Sequence, residues 1–108
     1  MYDKSQLMRG TLEGCILKIL SQNTSYGYEI VTTLLGYGFK DIKEGTIYPL
    51  LVRLEKKGII TSEMQPSPLG PSRKNYSITP DGVEYLNEFK TNWKQISQSV
   101  NQIFDTEV

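Results

Sequence analysis

Residues 45–58, Gly45-Thr46-Ile47-Tyr48-Pro49-Leu50-Leu51-Val52-Arg53-Leu54-Glu55-Lys56-Lys57-Gly58, decide the fold. Ile47, Leu50, Leu51 and Leu54 fall at i, i+3, i+4 and i+7, the apolar stripe of an amphipathic helix. Pro49 has no N–H to donate, so the helix is expected to start at Gly45 or Thr46, with the proline near its first turn, and to run to Lys57. Gly58 follows, the residue type that closes a helix in the left-handed region. The opposite face carries Thr46, Pro49, Arg53 and Lys56, with Tyr48 and Lys57 flanking. Leucines go inward; cations and hydroxyls stay outside.

Toward the C-terminus, Ile59 to Met64 reads as a strand, and a second strand is expected around Asn75 to Ile78. Between them, residues 65–72 are dense in Pro, Ser and Gly, which predicts a hairpin with a long exposed tip and the cations Arg73 and Lys74 beside it. Toward the N-terminus lie two more helices. Residues 6–21 place Met8, Leu12, Cys15, Ile16 and Ile19 on one stripe, so Cys15 is expected to be a small buried hydrophobe. Gly10 and Gly14, four apart, leave room for either a close helix neighbour or a ligand. Residues 26–35 form a short second helix, with Thr24 or Ser25 as its expected N-cap. Thr79-Pro80-Asp81 then starts a fourth helix running to about residue 104.

The order is helix, helix, helix, strand, strand, helix. It predicts a mainly α fold with a small β-hairpin: a winged helix-turn-helix over residues 1–79, followed by a C-terminal dimerisation helix over 80–108. In that architecture the third helix enters the DNA major groove and the hairpin reaches flanking phosphates. Residues 40–80 carry seven Lys/Arg against four Asp/Glu, whereas residues 81–108 carry two against five. The basic third of the chain is therefore the part that holds the expected reading helix and wing. Each feature also has a plainer reading. Arg53 and Lys56 fit a solvated helix face, Arg73-Lys74 an ordinary hairpin flank, and Tyr26, Tyr28 and Tyr48 core aromatics. Their joint placement on one surface favours duplex DNA as the partner.

Composition bounds the rest. The chain has 108 residues and a formal net charge of zero, so total charge alone signals no nucleic acid. A chain of this length buries roughly two thirds of its unfolded surface, which makes help from a second copy unsurprising. It has no histidine, which excludes His-dependent triads and His-ligated metals. One cysteine makes neither an internal disulfide nor a zinc cluster. No cofactor and no enzymatic activity are expected. The longest apolar stretch, Ile47 to Val52, is far below the ~18 residues of a membrane span. The start shows no signal-peptide pattern, so a cytoplasmic location is the default.

On the fourth helix, Leu86, Phe89, Trp93, Ile96, Val100 and Ile103 are spaced 3, 4, 3, 4, 3, the narrow seam of a helix packed on a partner helix. With no alanine anywhere in the chain and many Asn, Ser, Thr and Gln in this segment, packing rather than propensity must hold it. The seam is expected to be a homodimer interface. Six large side chains at about 2 kcal/mol each give ~12 kcal/mol gross, against an association cost of about 4–15 kcal/mol.

These residues together resemble the PadR family of bacterial transcription regulators. The resemblance rests on Leu12-Glu13, Tyr26-Gly27-Tyr28-Glu29-Ile30, Gly45-Thr46-Ile47-Tyr48-Pro49-Leu50-Leu51, Arg53-Leu54-Glu55, Gly58-Ile59-Ile60, Gly70-Pro71-Ser72-Arg73-Lys74, Tyr76, Ile78-Thr79 and Gly82. Asn75 stands where family members typically carry a tyrosine. The resemblance implies a homodimeric repressor of the short class, binding a pseudo-palindromic operator. Its DNA surface would comprise Tyr26, Tyr28, Thr46, Tyr48, Pro49, Arg53, Arg73 and Lys74, to which the helix face adds Lys56. Drug-sensing short members use a tryptophan on the last helix. Trp93 looks like that tryptophan, with Leu7, Gly10 and Gly14 on the facing helix. Trp93 is either a dimer-core aromatic or a platform for a small aromatic or phenolic effector. The alternative to a DNA-binding regulator is a winged-helix module that binds protein and senses no ligand.

Overall fold

The computed structural model describes residues 1–106 and has seven elements: α1 (Ser5–Gln22), β1 (Ser25–Tyr26), α2 (Gly27–Gly36), α3 (Glu44–Lys56), β2 (Ile60–Ser67), β3 (Gly70–Ile78) and α4 (Pro80–Phe104). Glu107 and Val108, the last two residues of the expected C-terminal unit, lie outside the described residues. The winged helix-turn-helix architecture is present, with helix boundaries within about one residue of those the periodicity predicts.

The core lies where α1, α2, α3 and the sheet meet. Leu12, Ile16, Leu17 and Leu20 come from α1, Ile30 and Leu34 from α2, and Ile47, Leu51 and Leu54 from α3. Ile60 and Tyr76 close it from the sheet. The buried stripe of α1 is rotated from the expected one: Leu17 and Leu20 are fully inside, while Met8, Cys15 and Ile19 are partly buried against the core. Burial raises the Cys15 thiol pKa, which favours the neutral thiol over the thiolate.

Gly58 takes φ of +74° just past α3. The Gly58 N–H donates to Glu55 O at 3.0 Å and the Ile59 N–H to Leu54 O at 3.1 Å, so two end carbonyls of α3 are satisfied. Pro49 does not sit in the first turn as expected. The helix begins one residue earlier, at Glu44, and Pro49 falls in its second turn, with Gly45 four residues before it.

The sheet has three strands, in the order β1-β3-β2, all antiparallel. Two expectations are corrected here. Ser25 is not the N-cap of α2: it pairs with Tyr76 in a two-residue strand. Tyr26 is the N-cap residue, and its N–H donates to the Glu29 carboxylate at 2.8 Å. The long hairpin tip also contracts. β2 runs to Ser67 and β3 starts at Gly70, leaving only Pro68 and Leu69 as the turn. Pro66 is accommodated because the register slips between Gln65 and Ser67 on an edge strand. Arg73 and Lys74 therefore lie inside β3, opposite Gln65 and Met64, rather than beside a strand.

α4 leaves the globule. Thr79 caps it by accepting from the Gly82 N–H at 3.0 Å, and its hydroxyl points at the Gly58 and Ile59 carbonyls at 2.7 and 2.9 Å. Only Gly82 of α4 is buried. Leu86 and Phe89 are half-buried against α1, while Trp93, Ile96, Val100 and Ile103 are exposed. The protruding helix gives the chain extents of 59 × 33 × 21 Å. No helix among the described residues is long and apolar enough to cross a membrane.

Candidate nucleic-acid interface

The start of α2, the outer face of α3 and the middle of β3 enclose an open cleft of about 550 Å³. Tyr26, Tyr28, Tyr48, Arg73 and Lys74 all line it. The Tyr26 and Tyr28 rings lie parallel, 6.0 Å apart, and the Arg73 guanidinium sits 5.0 Å from the Tyr28 ring centroid. Tyr26 donates its hydroxyl to Gln65 Oε1 at 2.9 Å, which ties the start of α2 to the wing. Gly27 is what lets Tyr48 in: a Cβ there would lie 2.7 Å from the Tyr48 ring. A stacked tyrosine pair under a guanidinium gives a flat, cationic, hydroxyl-rimmed surface, suited to sugar-phosphate and base edges. Tyr76 forms the floor. Burial first, and then the Glu55 carboxylate, push its phenol above the ordinary value, so it stays neutral.

The other expected residues are placed differently. Thr46 faces a shallow depression against the start of α1, shared with Arg9 and Leu50. Pro49 and Lys56 are exposed, and Lys56 makes no ion pair among the described residues. Lys74 reaches Glu55 at 3.6 Å, and Glu55 also accepts the Ser62 hydroxyl at 2.7 Å. Arg53 does not enter the cleft. Its guanidinium is ion-paired with Glu13 of α1; the Glu13 side chain is 10% exposed and that of Arg53 46%. Removing one member of a fully buried pair costs about 3–5 kcal/mol, less where one partner is half in water. An exposed ion contact is worth only about 0–1 kcal/mol.

Sequence reading did not single out Glu13, Gly27, Val52, Glu55 or Gln65 as parts of this surface. The available signal was a carboxylate beside the apolar stripe of the first helix. Its partner lies 40 positions away and is invisible to local pattern.

A second concavity, of about 440 Å³, runs between α1 and α4. Gly14, Phe39, Leu86, Phe89 and Trp93 form its apolar walls, with Lys18 and Lys90 at the rim. Phe89 lies directly over Gly14, where an added Cβ would be 2.1 Å from the ring. Phe89 and Trp93 are parallel at 6.5 Å. Of the expected effector residues, Gly14 and Trp93 meet in this groove. Leu7 is exposed and Gly10 has open space around it; neither lines the groove.

Comparison with known proteins agrees with the architecture. The profile of the "Transcriptional regulator PadR-like family" matches residues 16–88. The crystal structure of a PadR-like transcriptional regulator from Bacillus cereus is 48% identical and superposes on 95% of this chain and 100% of that one, with a TM-score of 0.85. A Streptococcus transcriptional regulator is 46% identical, covering 94% and 99% of the two chains at a TM-score of 0.83. A transcriptional regulator of Mycobacterium tuberculosis is 28% identical over 95 residues, 88% of this chain and 87% of that protein.

Proposed function

The chain belongs to the PadR-like family of transcriptional regulators, and on that premise we propose that it is a homodimeric repressor that grips a pseudo-palindromic DNA operator. The reading head is the cleft between α2, α3 and the wing. Tyr28, Tyr48 and Arg73 supply its aromatic and cationic surface, with Tyr26 behind them. Lys74 lines it on β3, and the exposed Lys56, Pro49 and Thr46 add to it along α3, Thr46 on the side toward α1. The observation that carries this reading is the convergence of three tyrosines and two cations from four elements, β1, α2, α3 and β3, on one open face.

Two copies joined along α4 would present two such faces to half-sites about one helical turn apart. The exposed Trp93, Ile96, Val100 and Ile103 supply the joining face. A small aromatic or phenolic effector in the groove beside Trp93 and Gly14 would release the DNA. It regulates only if it binds the two half-site spacings with different affinity. The single tryptophan makes this readable: a bound planar ligand quenches Trp93 emission, and Trp93→Phe abolishes the signal.

Selection of genomic fragments by the purified chain tests the main reading. Recovery of fragments sharing two related half-sites supports it; recovery of fragments with no common pattern contradicts it. Near-zero net charge, with Arg53 and Lys74 already facing carboxylates, favours the second reading of a protein-binding module. Association with DNA that is indifferent to salt, or absent, is the outcome that reading expects.

A further inference from the structure

We propose that Glu13 is a positioning residue that withholds Arg53 from the DNA backbone, and so sets how many free cations the recognition helix offers. This rests on the DNA-binding reading above. Four cations matter here: Arg73 and Lys74 line the cleft, and Arg53 and Lys56 project from the last turn of α3. They differ in what they leave behind on turning to a phosphate. Lys56 leaves no ion-pair partner among the described residues. Arg73 leaves an aromatic ring. Lys74 leaves Glu55, whose side chain is about one third exposed (32%) and keeps the Ser62 hydroxyl.

Arg53 leaves Glu13. That carboxylate is nearly buried, and Arg53 is its one hydrogen-bond partner among the described residues. Stranding it there is worse than one extra phosphate contact is good. The guanidinium therefore stays, the pair carries no net charge, and no counterion is released at that position when DNA binds. Glu13 thereby lowers sequence-independent affinity without touching DNA. It also holds α3 against α1 one residue before Gly14, where Phe89 of α4 packs. The angle of the reading head is thus referred to the helix that carries the joining face.

Salt titrations of duplex binding by the full chain test this. Arg73→Gln and Lys74→Gln should each lower the slope of log affinity against log salt by about one for each chain bound. Glu13→Gln releases the guanidinium, so it should steepen the slope by about one for each chain bound and raise affinity for unrelated duplex at low salt. A merely structural pair would change the melting temperature without moving the slope. The double variant Glu13→Gln/Arg53→Gln leaves a neutral, hydrogen-bonding pair, and its slope should equal the parent's. It also keeps the test decisive if Glu13→Gln alone fails to fold. A double-variant slope lower by about one for each chain bound, or an unchanged slope in folded Glu13→Gln, overturns the proposal. Loss of salt-dependent binding in the parent overturns the DNA reading itself, a separate and recognisable failure.

Discussion

Two glycines show how single side chains fix the geometry. Gly82 lets the first turn of α4 approach the end of α3, where an added Cβ would meet the Ile59 carbonyl oxygen at 2.1 Å. At Gly14 the nearest atoms belong to the Phe89 ring, the far end of a half-buried side chain that can turn aside. Alanine gains about 1 kcal/mol of helix propensity over glycine at both sites, against about 1–3 kcal/mol for overpacking. Gly82→Ala, whose clash is with backbone, should therefore destabilise the chain by up to about 2 kcal/mol and Gly14→Ala should be close to neutral, a ranking that urea unfolding checks. Cys15 and Tyr76 make a pH prediction. Both have raised pKa values, chiefly through burial. Below the ordinary values of 9.0 and 10.0 both groups are neutral in folded and unfolded chains alike. Above them the unfolded chain ionises first, so stability should fall as pH rises past about 9. A thermal melt series should show no such loss from these groups below pH 8. In α1 the spacing of Gly10 and Gly14 leaves room for either a close helix neighbour or a ligand; the close approach is made at Gly14 alone, by Phe89, while Gly10 has open space around it. The capture of Arg53 by Glu13 was not, because a 40-residue contact leaves no trace in a 3.6-residue period.

Among the elements, legibility followed the strength of the local signal. Helix α3 was readable from its leucine spacing, and α4 from Thr79-Pro80-Asp81 at its start. Thr79→Ala should cost about 1 kcal/mol, the usual loss for an N-cap, with a similar loss added because its hydroxyl also serves the Gly58 and Ile59 carbonyls. The fall in melting temperature measures it. The first strand was unreadable. Ser25 and Tyr26 are extended because Asn75 and Tyr76 of β3 offer an open edge, a tertiary cause with no sequence period. The wing was half-readable. Residues 65–72 have the composition of a loop, yet pairing with β3 draws all but Pro68 and Leu69 into strands. The consequence is functional: Arg73 becomes a strand residue with a fixed direction, held over Tyr28.

For the molecule as a whole, α4 sets the central question. It carries a row of exposed apolar side chains, Trp93, Ile96, Val100 and Ile103, with Phe104 at its end. Such a row left in water is an association surface, and an aspartate in its middle should abolish pairing while leaving the core intact, because Val100 lies well beyond Gly82, Tyr85 and Leu86, where α4 meets that core. Val100→Asp is expected to sediment as a single chain and to lose most of its operator affinity, since one reading head makes half the contacts. The most direct test is sedimentation of the parent chain with a labelled duplex that it selects from the genome. The expected species holds two chains per duplex and dissolves as salt rises. A complex of one chain per duplex, or chains that sediment apart from DNA at low salt, would contradict the account.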